Sequence, residues 1–173
     1  MFIDTKVTAG LMAAAMVACS AAGAWAQTPT RIGDYNDWSA FSYDSGGSKV
    51  CYTLSVPIPG SEKPADVNHG TNFFIVTQRT TQNVSYEPQF MADYGLREAS
   101  KVTVTIGDQS FSFFTKDKSA WAENAAQEPA LVAAMKAGSK MTVQATSARG
   151  TSTSYDYSLS GVTAALNAIQ DCK

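Results

Sequence analysis

The chain has 173 residues, of which 45% are hydrophobic and 16% charged, with a formal net charge of −2. The charges are scattered, and without a basic stripe to neutralise phosphates the composition argues against nucleic-acid binding. Three cysteines and one histidine give a poor ligand set for a metal, and no cofactor motif is present, so neither metal nor cofactor is expected.

The N-terminal 26 residues carry an export pattern. Lys6 supplies a positive start, Val7 to Ala18 form an apolar run, and Ala24-Trp25-Ala26 supplies the small-x-small pattern of a cleavage site. The run is too short for a permanent membrane span. The expectation is a signal peptide over 1–26 and a mature domain over 27–173, periplasmic or secreted, with no integral membrane segment. Val17-Ala18-Cys19-Ser20 partly resembles a lipobox that would acylate Cys19, but Met16 stands where leucine is usual and the later cleavage site competes. The mature chain then keeps Cys51 and Cys172. In an oxidising compartment such a pair favours a disulfide closing a loop of about 120 residues, with two buried thiols as the alternative.

Strand-like segments follow one another from Val50 onward. Val50, Tyr52, Leu54 and Val56 share one face, and Cys51, Thr53 and Ser55 the other. The polar, Pro- and Gly-rich stretch from Pro57 to Gly70 reads as a surface loop. Phe73-Phe74-Ile75-Val76 reads as a strand covered on both faces. Val102, Val104 and Ile106 alternate with polar residues, and Gly107 to Ser110 reads as a hairpin turn into Phe111 and Phe113. Pro129 suits an early helical position ahead of Leu131, Val132 and Met135, with Gly138 placed to end that helix. Met141, Val143 and Ala145 alternate next, then Tyr155, Tyr157 and Leu159 after the turn-like Arg149-Gly150-Thr151-Ser152. A second helix starts near Thr163 and aligns Ala165, Leu166, Ile169 and Cys172 on one face. The fold class is mainly β: an antiparallel sandwich or barrel-like domain with two short helices, the second C-terminal.

Catalytic patterns are sparse. His69, the single histidine, sits in Asn68-His69-Gly70 and reads as a solvated loop residue, and no Gly-x-Ser-x-Gly supplies an activated serine. Asp108, Asp117, Glu123, Asp156 and Asp171 are ordinary turn and surface acids unless the fold pairs two of them. Asn83-Val84-Ser85 matches a glycosylation sequon, relevant only to a eukaryotic secretory route. Trp38, Phe41, Tyr43, Trp121, Tyr155 and Tyr157 are candidates for a stacking platform, weighed against a core role. Arg149, in a Gly/Thr/Ser turn, suits either an internal carboxylate or an anionic partner. Arg149, Trp121 and Tyr157 are therefore the candidate partner-binding residues, and no catalytic residue is assigned.

Several blocks together resemble the invasion-associated locus B family of exported bacterial proteins. They are Val102-Thr103-Val104-Thr105-Ile106-Gly107, Phe111-Ser112-Phe113-Phe114, Ala120-Trp121 and Leu131-Val132-Ala133-Ala134-Met135-Lys136-Ala137-Gly138. The sharpest is Ser147-Ala148-Arg149-Gly150-Thr151-Ser152-Thr153, followed by Tyr157-Ser158-Leu159-Ser160-Gly161-Val162 and Cys172. Asp37-Trp38 and Lys49-Val50-Cys51-Tyr52 match the family's start. The chain departs from members that carry a further cysteine after the early tryptophan, having Ser39, Ala40 and Phe41 there, and Glu87 to Ser100 matches loosely. The resemblance implies a β-rich envelope or surface-associated protein of a Gram-negative bacterium, linked by the family name to host-cell invasion, with no reaction or cofactor to carry over. The expected function is a non-enzymatic binding or accessory role with an envelope or host-surface protein or glycan as partner. A secreted glycan-binding factor is the alternative, and a carboxylate-dependent hydrolase the weaker one.

Overall fold

The computed structural model describes residues 28–79, 84–170 and 172. The export signal, Cys19, Asn83 of the sequon and Asp171 lie outside the described residues. Ten strands form one antiparallel sheet: β1 (Thr30–Tyr35), β2 (Trp38–Ser45), β3 (Ser48–Ser55), β4 (Phe73–Arg79), β5 (Val84–Met91), β6 (Lys101–Ile106), β7 (Gln109–Lys116), β8 (Ser119–Ala122), β9 (Lys140–Thr146) and β10 (Ser152–Ser158). Their spatial order is β1-β2-β3-β4-β5-β8-β7-β6-β9-β10. Two helices complete the fold, α1 (Glu128–Ala137) and the C-terminal α2 (Val162–Gln170). A single curled sheet replaces the two packed sheets of a sandwich, and it curls like a barrel without closing.

The two ends of the sheet meet through the turns beyond them. Asn36 Nδ2 donates to Ser160 Oγ at 3.0 Å, and Trp38 Nε1 to the Ser158 carbonyl at 2.9 Å. A Cβ on Gly161 (φ +91°) would fall on the Tyr35 carbonyl, so both its conformation and this approach demand glycine. The stretch read as a surface loop is largely exposed, but it also runs along the outer edge of β10. Ile58 N–H donates to the Asp156 carbonyl at 2.7 Å, and Lys63 exchanges both backbone bonds with Ser154, at 2.9 and 3.0 Å. This strap covers an edge that would otherwise be open to pairing.

Burial follows the alternation on most strands: Val102, Val104 and Ile106, Phe111 and Phe113, Met141 and Val143, and Tyr155 and Tyr157 all point inward. On β3 the more polar of the two faces packs inside, together with Val50 from the apolar one. Cys51, Thr53 and Ser55 are buried, while Val56 is 49% exposed. The small side chains make room for α2, which packs across β1 to β4, and Thr53 Oγ1 satisfies itself on the Ser39 carbonyl at 3.0 Å. Cys51 and Cys172 are joined in a disulfide with Cα atoms 5.7 Å apart, fixing the end of the chain beyond α2 to β3. Gly138 ends α1 with φ −85°, outside the left-handed region. Packing explains it, since a Cβ would lie 2.6 Å from Ile106 Cγ2.

Candidate functional site

A cleft of about 370 Å³ opens where the family-like turn after β9 faces the loop before β4. Its first wall is built by backbone pairing. Arg97 N–H donates to the Thr146 carbonyl and Ala148 N–H to the Gly95 carbonyl, at 2.8 and 2.7 Å, so the segment after β5 is laced to the start of the turn. The turn closes on itself through Gly150 N–H to the Ser147 carbonyl at 2.8 Å and Ser147 N–H to the Thr151 carbonyl at 2.9 Å. Gly150, at φ +91°, supplies the left-handed residue this reversal needs. Arg149 is thereby presented at the tip, exposed to solvent. Val67, Asn68 and His69 form the opposite wall.

The floor is a chain of hydrogen bonds. His69 Nε2 lies 2.8 Å from the Pro64 carbonyl and Nδ1 lies 2.8 Å from Tyr155 Oη. Tyr155 Oη is 2.9 Å from Tyr94 Oη, which is 2.7 Å from Thr153 Oγ1. A carbonyl can only accept, so Nε2 carries a proton. Tyr155 has one proton to give: a neutral His69 takes it at Nδ1, whereas a protonated His69 donates and turns it toward Tyr94. Burial first, and then the bond to Tyr94, pushes the Tyr155 phenol far above its ordinary value, so it stays a neutral hydroxyl. The sequence reading of His69 as a solvated loop residue is corrected: the ring is half-buried with both nitrogens bonded, because its loop folds back against β10.

The cleft's own lining carries a cation and no acid, while Glu62 acts on Tyr155 from the adjoining depression beyond Asn68 and His69. Arg149 has no ion pair among the described residues, and no aspartate or glutamate lines the cleft. Beyond the rim formed by Gly95 and Ala148 lies a second depression of about 920 Å³. There Arg97, Lys116 and Lys118 face Glu98 and Asp117. Lys118 is engaged by Asp93, at 2.9 Å from its carbonyl and 3.6 Å from its carboxylate.

Arg149 is thus the one candidate partner-binding residue that the fold places in the cleft. Tyr157 is wholly buried and presents no surface to a partner; that expectation is corrected, and the alternating pattern of β10 is the reason. Its hydroxyl has no hydrogen-bond partner among the described residues, and burial raises its pKa well above the ordinary value. Trp121 is half-buried on the outer face of the sheet, stacked on the exposed Phe114 with ring centroids 5.8 Å apart, away from the cleft. Trp38 and Tyr155 are fully buried core residues, and Phe41 and Tyr43 gather around Tyr52 on another part of the sheet. The acids are not drawn together: Asp108 and Asp117 occupy turns at opposite ends of β7, Glu123 pairs with Lys101, and Asp156 with Lys140. Among the described residues no group of three or more His, Cys, Asp or Glu lies close enough to hold a metal. Sequence reasoning missed Tyr94 and Asn68, whose only local signals are turn-like neighbours.

Residues 38–170 match the family model described as Invasion associated locus B (IalB) protein. No curated protein matches the sequence. Among solved structures, that of invasion associated protein B from Bartonella henselae is similar, with a TM-score of 0.56 at 16% identity over 82% of this chain and 93% of that one. At that identity the likeness establishes a shared fold.

Proposed function

The chain belongs to the invasion associated locus B family, and from that premise we propose that it acts as an exported, non-catalytic binding or accessory domain of the bacterial cell envelope. The observation that carries this reading is the Arg149 cleft. Its cation has no ion pair among the described residues, and the titratable groups at its floor are committed to one another rather than poised beside a nucleophile. The Cys51–Cys172 bond supports a working place in an oxidising compartment, and the export pattern over 1–26 agrees with it.

Placing a photo-crosslinking residue at Thr151, on the cleft rim, and at Asp108, in a distant hairpin turn, tests the proposal in the native host. Specific adducts from position 151 and none from 108 are expected, with the partners read by mass spectrometry. A hydrolytic activity abolished by one substitution in the cleft would overturn the non-catalytic role, and equal labelling from both positions would remove the cleft from it.

A further inference from the structure

Resting on that reading of the cleft, we propose that its two joined lobes bind an acidic oligosaccharide, with Arg149 gripping a sugar carboxylate. The first argument is the character of the lining. Arg149, Asn68, Ser147 and Thr151 offer a guanidinium, an amide and two hydroxyls at the mouth of the cleft, and its own lining holds no carboxylate, Glu62 lying in the adjoining depression past Asn68 and His69. Asn68 Oδ1 is already used by Gly70 N–H at 2.9 Å, and Ser147 Oγ accepts from Thr151 N–H at 3.1 Å. What these two groups have left to offer is chiefly N–H and O–H. A surface of donors around a cation selects a ligand rich in acceptor oxygens and negatively charged.

The second argument is shape. A cleft of about 370 Å³ has the size of a small-ligand site, and more of its lining is apolar than polar, with Val67, Tyr94 and Ala148 among the residues that form it. An apolar patch rimmed by donors suits a sugar ring, which sets its C–H face on the patch and its hydroxyls on the rim. The third is continuity. Gly95 and Ala148 belong to both depressions, so a linear ligand seated at Arg149 continues over a low rim, with no side chain on Gly95, toward Arg97 and Lys116. Neither of those cations has an ion pair among the described residues. Glu98 and Asp117 stand beside them, so the second lobe contributes less than the first, and the grip centres on Arg149. Repeating negative charge along a sugar chain matches cations in successive lobes; a neutral sugar leaves them unmatched.

The test is calorimetric titration of the disulfide-intact protein with tetragalacturonate, maltotetraose as the neutral counterpart, and inorganic phosphate. Tetragalacturonate is expected to bind, weakening as salt rises, while maltotetraose does not. Arg149→Ala should lower the affinity about ten-fold or more, as expected for a lost charge-assisted contact, with Arg149→Lys between the two. The exposed side chain makes little demand on folding, so an unchanged melting temperature is the control. Arg97→Ala with Lys116→Ala should weaken tetragalacturonate more than the monomeric uronic acid. Equal binding of maltotetraose, full competition by phosphate alone, or loss in Trp121→Ala but not in Arg149→Ala would each overturn the proposal. If no acidic sugar binds while position 151 still crosslinks to a protein, the ligand class is wrong and the binding role of the cleft stands.

Discussion

Two tyrosines two residues apart on β10 show how environment decides what a residue contributes. Both are fully buried and both point inward, yet Tyr155 is bonded to His69 and Tyr94 while the Tyr157 hydroxyl has no partner among the described residues. Removing a bonded hydroxyl strands its partners; removing an unbonded one relieves a desolvation cost. Tyr155→Phe is expected to destabilise the protein by about 1–2 kcal/mol, and Tyr157→Phe to be neutral or stabilising by up to about 1 kcal/mol. Denaturant unfolding of both variants checks this, and the reverse order would contradict the bonding pattern. No sequence rule separates the two, because alternation gives them the same face.

At the scale of elements, the edge strand β10 is secured by the strap on one side and β9 on the other, and Asp156 serves both. Its carbonyl accepts from Ile58 N–H, while its carboxylate accepts from Thr142 Oγ1 at 2.7 Å and Lys140 Nζ at 3.0 Å. Burial alone would push the carboxyl pKa up, but the bonds to Thr142 and Lys140 outweigh it and hold the value below the ordinary range. A carboxyl lowered by folding stabilises the protein above the unfolded value, near pH 4, and loses that contribution as pH falls through the folded value. Asp156→Asn should therefore cost up to about 1 kcal/mol at pH 7, a modest figure for a solvent-screened pair, and less at pH 3. Thermal melts of both proteins at the two pH values measure the difference, and an equal gap at both would show that the carboxyl is not held low. β5 escaped sequence reading for a reason of the same scale. Pro88 lies inside the strand and Tyr86 has a positive φ beside the irregular register between Thr77 and Arg79. Proline is tolerated because the pairing of β5 with β8 begins only at Gln89.

At the scale of the whole molecule, the sheet is held in its curl from inside and from its ends. Aromatic rings fill the interior, with Phe74 set 6.2 Å from Phe113 and 6.0 Å from Tyr157, and the helices cover what remains. The Cys51–Cys172 bond spans 121 residues and ties the C-terminal end to β3. Long closed loops restrict the unfolded chain most, so Cys51→Ser or Cys172→Ser is expected to lower stability by about 2–5 kcal/mol. Melting under oxidising conditions should show the loss, and adding reductant to the native protein should reproduce it; unchanged melting in both would remove the bond from the stability of the fold.

The sequence by itself determined the β-rich class, most of the strands, both helices and the family, because these rest on local periodicity, punctuation residues and quoted motifs; it favoured the Cys51–Cys172 bond, which the fold then closed. It also singled out Arg149. Tertiary structure decided the rest. It set one open, curled sheet in place of a sandwich, since strand alternation is identical in both. It turned the small face of β3 inward, because α2 and the disulfide claim that space. It also brought His69, Tyr94 and Arg149 to one cleft from segments 25 to 80 residues apart in the chain. Such long-range contact leaves no periodic trace in the chain, and a site assembled from three loops becomes visible only when the sheet has set them side by side.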